Sequence, residues 1–383
     1  MGLAELGLSS FCIYPTSLEP DGSSPYPIAP LATTTSIPAP VAKGQIEPIR
    51  LSIPAGSVPP ANNGSPRHTL EFEKPLASLE QEIKSLEAAQ AGKSVDYSAE
   101  LQQLRLNYTA VLRKTYDNLT AWETVQVARH PQRPQFRDYL EAICPGAEFR
   151  ELHGDRCFGD DQAIVCGLGR VGQHKVMLIG HHKGRDTKER LKCNFGSPQP
   201  EGYRKALRCM KLAEKFGLPV VTLIDTQGAA PGIGAEERGQ AESIARNLFE
   251  MSRLKTPIIA IVIGEGGSGG ALGIGVADRV AMLQYAWYSV ISPEACSAIL
   301  FKGNEGAAQL AESLKLTSKH LKQLGVVDHV IPEPLGGAHR DPHTAAHSLR
   351  EYVSKTLRDL KRSKTENLLE RRYMRFRNLG VVA

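Results

Sequence analysis

The chain has 383 residues, which is enough for a large core, and none of its apolar runs reaches the ~18 residues that a membrane-spanning helix needs. A net charge of +5 is too small to indicate nucleic-acid binding by itself, and the seven cysteines form no C-x-x-C pair, so the sequence offers no zinc ribbon. We therefore expect a soluble cytoplasmic protein with reduced thiols, no membrane partner and no required nucleic acid.

Residues 1–66 contain 12 of the 25 prolines among Ser, Thr and Ala, which predicts a disordered arm. Acidic residues and the lack of arginine before Arg50 argue against a transit peptide. Residues 67–134 are predicted to be a helical region. Apolar residues spaced by three and four, from Leu76 to Leu86 and from Leu101 to Tyr116, predict a helical hairpin across Ala91–Tyr97. Thr120–Glu123 is a capping box that opens a third helix.

Residues 135–340 alternate between strands and helices, which predicts an α/β domain with a largely parallel sheet. The predicted strands include 163–168, 176–179, 219–225, 257–263, 280–283, 288–291 and 326–331. The predicted helices include 202–216, 235–254, 269–277, 293–301 and 306–324. Residues 341–383 are predicted to form a basic helical tail, with one long helix from Pro342 to Phe376.

Six of the twelve residues from Ile263 to Ile274 are glycine, directly after an apolar strand. Glycine lets a ligand touch the main chain, and the first N–H groups of a following helix favour negative charge. The pattern predicts a bare-backbone turn that stabilises a permanent or a developing anion.

Two general motifs compete for this turn. Gly264-x-Gly266-x-x-Gly269 matches a dinucleotide fingerprint, but 279–293 lacks the acidic residue that such a site needs. The other motif is a G-x-S-x-G elbow with Ser268 as the nucleophile of a serine hydrolase and His329 or His339 downstream. The alternative role for Ser268 is a helix N-cap. Both roles stay open from the residues alone.

A second glycine-rich loop, from Asp225 to Gly234, leaves the preceding predicted strand. Two loops that follow adjacent strands, each with free main-chain amides, are suited to stabilising an enolate or a similar oxyanion. Neither loop contains His or Cys as a base or nucleophile.

The chain resembles the carboxyltransferase α subunits of bacterial and plastid acetyl-CoA carboxylases, which belong to the crotonase-like (ClpP-like) superfamily. The resemblance covers the chain from about Leu70 to near the C-terminus. It is carried by Ala128-Arg-His-Pro-Gln-Arg-Pro134, His182-Lys-Gly-Arg185, Asn194-Phe-Gly196, Pro200–Arg208, Gly234–Gln240, Ile263–Ala271, Tyr288–Glu294 and Ile331–Arg340.

The resemblance implies a crotonase-like ββα spiral core and transfer of a carboxyl group from carboxybiotin to acetyl-CoA, which gives malonyl-CoA for fatty acid biosynthesis. It implies an α2β2 assembly with a β subunit, which carries any zinc, and cooperation with a biotin carboxyl carrier protein and biotin carboxylase. No cofactor would be bound covalently in this chain, and no metal site is expected.

The resemblance also assigns the site residues. The amides of Gly269 and Gly270 would bind the biotin ureido oxygen. The expected substrate-binding residues are Gly228, Ala229, Arg238, Gly266 and Gly267. For Arg238, contact with the transferred carboxyl competes with an ion pair to Glu242 on the same helix.

The family usually has proline and tyrosine where this chain has Gln227 and Ala230. This departure predicts a looser, roomier loop, and it leaves a non-catalytic assembly subunit as an alternative. Histidines occur at 339, 343 and 347, and solvated positions on a helix are favoured over a role as metal ligands. A basic cluster lies between 183 and 211. That cluster is either a set of solvated helix faces or a patch for an acidic ligand.

Overall fold

The computed structural model describes residues 68–92, 96–145, 148–303 and 305–380, which belong to one compact unit. The arm predicted for residues 1–66 lies outside these residues. Within the described ranges, no helix is both long and apolar enough to cross a bilayer. The six described cysteines are all free thiols.

The described residues form one mixed sheet of eight strands. In chain order these are β1 (Arg150–Glu151), β2 (Ile164–Val171), β3 (His174–His181), β4 (Val220–Thr226), β5 (Ile258–Gly267), β6 (Arg279–Leu283), β7 (Trp287–Ser289) and β8 (His329–Ile331). The sheet order is β1-β2-β3-β4-β5-β6-β8, and β7 pairs with the end of β5. The first three strands are antiparallel, and all pairings from β3 onward are parallel.

Helices surround this sheet. The described ones are α1 (Lys74–Gly92), α2 (Ser98–Asp117), α3 (Ala121–Ala128), α4 (Phe136–Ile143), α5 (Thr187–Lys192), α6 (Pro200–Lys215), α7 (Ile233–Glu237), α8 (Gln240–Arg253), α9 (Ser268–Leu272), α10 (Pro293–Phe301), α11 (Ala307–Ser313), α12 (Ser318–Gln323), α13 (Pro342–Lys361) and α14 (Thr365–Arg377). Strands β4 and β5 are buried along their whole length, as expected for central parallel strands.

The N-terminal helical hairpin is confirmed, with α1 and α2 packed against each other. The capping box is confirmed too. Thr120 Oγ1 accepts the Glu123 amide at 3.2 Å, and Glu123 Oε2 accepts the Thr120 amide at 2.8 Å. These features were predictable because periodicity and capping are local properties of the sequence.

Three predicted helices are wrong as single elements. The helix expected over 235–254 is broken between α7 and α8, where Gly239 adopts a left-handed φ of 79°. The helix expected over 306–324 is interrupted at 314–317, between α11 and α12. The long helix expected over 342–376 is two helices, α13 and α14, separated at 362–364.

The C-terminal helices also contribute to the core. Arg372 on α14 is 1% exposed and pairs with Asp278 at 2.8 Å. Its guanidinium also donates to the buried carbonyls of Met251, Leu254 and Thr256. These bonds compensate for burying the charge and fix α14 against the end of α8 and the segments that precede β5 and β6. The boundaries predicted at 134/135 and 340/341 stay predictions.

Candidate functional site

The glycine segment differs from the predicted turn. Strand β5 continues through Gly264 to Gly267, because β4 and β7 pair with its end: Gly266 lies opposite Thr226 and Tyr288, and Gly267 lies opposite Ser289. The helix that follows, α9, has five residues instead of the nine predicted for 269–277. A helix this short has only a small dipole, so any anion binding here depends on individual amides.

A bulge in β5 explains why position 264 is a glycine. Between the pairs Ile224–Val262 and Thr226–Gly266, β5 advances by four residues while β4 advances by two. The Asp225 carboxylate fills the bulge, and its Oδ1 accepts the Glu265 amide at 2.9 Å. A Cβ on Gly264 would lie 2.5 Å from that oxygen, so a side chain does not fit there.

The two glycine-rich loops do meet, as the sequence predicted. A Cβ on Gly267 would lie 2.1 Å from the Gln227 carbonyl oxygen, and a Cβ on Gly270 would lie 2.4 Å from the Ala229 nitrogen. Main chain therefore packs directly on main chain, which only glycine allows. This contact also brings Gly228, 2.5 Å from the same Gly270 position, to the site.

Gly269 is the exception among these glycines. The nearest atom to a Cβ built on it would be Ile244 Cδ1, at an ordinary 3.8 Å, and its φ is not in the left-handed range. The fold would therefore accept alanine at position 269. Gly269 is half-buried and lies in the first turn of α9. Because packing does not require a glycine there, its missing side chain leaves room for a ligand to approach the main chain.

The amides of Gly269 and Gly270 lie in the first turn of α9, where helix geometry provides no intrahelical acceptor. Gly267 at the N-cap provides no side-chain acceptor either. Two neighbouring donors in a fixed turn are suited to binding one oxygen atom that carries negative charge. The roles predicted for these amides, and for Gly228, Ala229, Gly266 and Gly267 in substrate binding, stay predictions. Gly266 and Gly267 are buried strand residues.

A charge network, which the sequence did not predict, joins the two glycine-rich loops through Asp225 and Glu265. Lys183 Nζ lies 2.6 Å from Asp225 Oδ1 and 2.6 Å from Glu265 Oε2, and Arg129 Nε lies 2.6 Å from Glu265 Oε1. Burial opposes the charged form of Glu265, but Lys183 and Arg129 outweigh it and keep the Glu265 pKa below its usual range. The sequence signals were an acid inside the glycine run and the basic residue Lys183, but nothing in the sequence paired them.

A cavity of about 180 Å³ opens beside this network and is lined partly by Arg190 and Phe195. Asn194 and Phe195 have φ values of 45° and 54°, which is unusual for two consecutive residues that are not glycine. Such strain often accompanies a functional surface. Phe195 is 49% exposed.

Arg238 lies where α7 ends, and the ion pair predicted for it is wrong. It forms no ion pair with Glu242. Its Nε donates instead to Glu201 Oε1 at 2.8 Å, and its Nη2 donates to Gln199 Oε1 at 3.1 Å. The break at Gly239 explains the change, because Arg238 and Glu242 no longer share a helix. Contact with substrate stays a prediction.

The loop with the unusual Gln227 and Ala230 is well anchored at Ala230. The Ala230 amide donates to the Pro198 carbonyl at 2.9 Å, and its carbonyl accepts Gln240 Nε2 at 3.0 Å. Ala230 is 3% exposed and hydrogen-bonded on both sides, and the expectation of a roomier loop stays a prediction. Gln227 has one weak contact of 3.5 Å, to Ser197 Oγ.

Five cations of the predicted basic patch form ion pairs within the chain. Its members pair with carboxylates as Lys183–Asp225, Arg185–Asp138, Arg204–Asp155, Lys205–Asp160 and Lys211–Glu250. The acidic partners are distant in sequence, so the pattern of cations alone did not reveal them.

The serine-hydrolase hypothesis is wrong in its geometry. Ser268 begins α9 with a φ of 53° and is exposed. His329 lies opposite Ala281, which in turn lies opposite Ile261, seven residues before Ser268 and roughly 20 Å away along the strand. His339 is held at another place in the fold.

His339 does not share a helix face with His343 and His347, because α13 begins only at Pro342. Its ring stacks on His130 with centroids 4.0 Å apart, and its Nε2 lies 3.6 Å from Glu73 Oε1. Ligand atoms of these three residues lie within 4.8 Å of one another. The same Glu73 oxygen already accepts Arg340 Nη2 and the Tyr116 hydroxyl, both at 2.7 Å, so the cluster is held together as a hydrogen-bonded ion pair.

Comparisons with known proteins agree with this description. The model of the acetyl co-enzyme A carboxylase carboxyltransferase-like family matches residues 69–380. The acetyl-coenzyme A carboxylase carboxyl transferase subunit alpha of Rhodopirellula baltica is 56% identical over 312 residues, which are 82% of this chain and 97% of that protein. The subunit of the same name from Stenotrophomonas maltophilia is 55% identical with the same coverage.

Among solved structures, a Pseudomonas malonate decarboxylase hetero-tetramer in complex with coenzyme A is similar in fold. It has a TM-score of 0.50 and 15% identity, over 61% of this chain and 90% of that chain. The predicted α/β class with a largely parallel sheet is confirmed. Since the family model matches most of its length, the chain belongs to the acetyl co-enzyme A carboxylase carboxyltransferase-like family.

Proposed function

We propose that this chain is the α subunit of an acetyl-CoA carboxylase carboxyltransferase, which transfers the carboxyl group of carboxybiotin to acetyl-CoA and produces malonyl-CoA. The observation that carries the proposal is Gly269. Its bare Cα is not required by packing, and it stands beside Gly270 in an uncapped first turn. A main-chain site of this kind suits a reaction in which charge develops on an oxygen atom.

A Cβ at position 269 would meet no atom closer than Ile244 Cδ1 at 3.8 Å, so packing does not require a glycine there, and we propose that the biotin ring lies against this bare main chain. Biotin, when a carrier protein delivers it, supplies the activated carboxyl group. The amides of Gly269 and Gly270 would donate to the ureido carbonyl oxygen of biotin, on which negative charge would build. Each such hydrogen bond contributes on the order of 3 kcal/mol to the transition state. Gly228 and Ala229 lie directly against Gly270 and keep its main chain in place.

Exposed apolar side chains next to the site support the proposal of a β subunit. Leu272 and Val290 line a cavity beside Ser268 and are 39% and 77% exposed. Helix α10 follows and carries Ile299 at 72% exposure and Phe301 at 58%. We propose that these four side chains belong to one apolar patch, which is typical of a protein interface.

With that partner, we propose an α2β2 carboxyltransferase in the cytoplasm that works with a biotin carboxyl carrier protein and biotin carboxylase. Zinc would belong to the β subunit. Arg238 contributes to substrate binding in this proposal only if its bond to Glu201 opens.

Malonyl-CoA formation is the test, measured with the purified chain, its β partner and a carboxylated carrier. We expect turnover only when all three are present. Turnover by this chain alone would contradict the shared site. An assembled α–β complex without turnover would instead favour the non-catalytic assembly subunit.

The interface has its own test. Ile299→Asp should prevent co-purification with the β partner, because it places a charge in the apolar patch. Phe216→Asp is the matched control, since Phe216 is 64% exposed but lies at the end of α6, outside that patch. Equal loss of co-purification in both variants would contradict the assignment of the interface.

A further inference from the structure

The glycine turn leads into α9, a helix that is too short to be stable by its own hydrogen bonds. Helix α9 has five residues, so it contains very few i→i+4 bonds, one of which is the bond from the Gly273 amide to the Gly269 carbonyl at 2.9 Å. Isolated helices of this length do not persist in water. The orientation of the Gly269 and Gly270 amides must therefore be fixed by contacts from elsewhere in the protein.

Three buried side chains provide such contacts. The Tyr203 hydroxyl on α6 donates to the Gly270 carbonyl at 3.1 Å. Asn247 Nδ2 on α8 donates to the Gly273 carbonyl at 2.8 Å. The Thr222 hydroxyl on β4 donates to the Ile274 carbonyl at 2.8 Å.

All three side chains are fully buried, and all three bind carbonyl groups, one within α9 at Gly270 and two directly after its end at Gly273 and Ile274. They also support one another. Asn247 Nδ2 donates to the Tyr203 carbonyl at 3.0 Å, so α6 and α8 are tied at the same point. The Tyr203 ring packs on Gly273, where an added Cβ would lie 2.5 Å from Cε1. Tyr203 therefore touches α9 through both its ring and its hydroxyl.

We propose that Tyr203 is a positioning residue for the Gly269 and Gly270 amides, with Asn247 and Thr222 as its supports. This inference rests on the proposed function. Tyr203 touches neither reactant. It acts by holding the Gly270 carbonyl, and with it the first turn of α9, so that both donors point at the charged oxygen. An amide displaced by a fraction of an ångström donates less well to that oxygen.

Tyr203→Phe is the direct test, because it keeps the ring on Gly273 and removes only the hydroxyl. In the complex with the β partner and carboxylated carrier, we expect kcat to fall about tenfold while KM for acetyl-CoA changes less than about twofold. Tyr116→Phe is the matched control. It removes another buried hydroxyl, which binds Glu73 at 2.7 Å outside the site, and it should leave kcat unchanged.

Hydrogen exchange gives a readout that does not depend on activity. Main-chain amides in 265–276 should exchange faster in Tyr203→Phe and at the normal rate in Tyr116→Phe. If Tyr203→Phe does not fold, Thr222→Val provides the same comparison with a smaller expected effect.

An active wild type with unchanged kcat and unchanged exchange in Tyr203→Phe would overturn the inference and leave the proposed function standing. An inactive wild-type complex would overturn the proposed function, and the exchange experiment would still decide whether Tyr203 holds the turn.

Discussion

In two polar regions of this molecule, the chemical groups that the sequence displays differ from the groups that the structure leaves accessible. The cluster of Glu73, His130, His339 and Arg340 contains conspicuous chemical groups, yet Glu73 and His130 are buried, Arg340 binds Glu73, and the two histidine rings stack on each other. The glycine turn has no reactive side chain that the proposed reaction uses, yet its main chain stays open at Gly269. The difference favours a structural role for the cluster, and it is consistent with our proposal that the glycine turn carries the chemistry.

The sharpest test of this difference is Gly269→Ala. We expect carboxyl transfer to fall by roughly a hundred- to a thousandfold, because the new methyl group obstructs the approach to the amides. Stability should change by less than about 1 kcal/mol, since the Cβ has room and alanine favours a helix. Steady-state kinetics and urea unfolding measure the two effects.

Gly270→Ala is the matched contrast. Its Cβ would lie 2.4 Å from the Ala229 nitrogen, so the two loops must separate and both stability and activity should fall. If Gly269→Ala destabilised the protein as much as Gly270→Ala does, the distinction between the two glycines would be lost.

Arg340→Met tests the cluster. Arg340 donates to Glu73 and, at 2.6 Å, to Glu80, so its loss leaves a buried carboxylate uncompensated. We expect a loss of about 3 kcal/mol in the free energy of unfolding, with kcat per folded complex unchanged. Arg105→Met is the control, because its pair with Glu87 is at the surface and should contribute less than about 1 kcal/mol. A large fall in kcat for Arg340→Met would contradict a purely structural cluster.

The same cluster predicts sensitivity to acid. Burial, together with neighbouring His339, lowers the pKa of His130 from 6.5 to about 4. The unfolded chain therefore takes up this proton at a higher pH than the folded chain does. The stability from His130 is complete above pH 6.5 and is lost as the pH falls toward 4.

The free energy of unfolding, measured between pH 7 and 4, should fall as the pH falls. In His130→Gln this fall should be smaller. The effect is partial because other groups of the fold also titrate. Exposed His343 on α13 provides the control: His343→Gln should leave the profile unchanged. An identical profile for wild type and His130→Gln would contradict the assignment to His130.

The sequence was sufficient for features that depend on neighbouring residues. Apolar spacing predicted α1 and α2, and an apolar run predicted β4. The extension of β5 through Gly267 was not predictable, because it depends on pairing with β7, about twenty residues later. Gly269 and Gly270 look the same in the sequence, since the difference between them is a contact with Gly228 and Ala229 on another loop.

Ser268→Ala should have the smallest effect. Ser268 begins α9 beside the two amides, but the proposed chemistry uses main-chain donors, and both candidate histidines are placed elsewhere. The left-handed φ of 53° strains alanine about as much as serine, so stability should hardly change. We expect carboxyl transfer to fall less than about threefold, against the thousandfold or greater loss that removing a catalytic nucleophile causes. A loss of that size in a folded Ser268→Ala variant would place the chemistry on the side chain and would contradict the difference between the two regions.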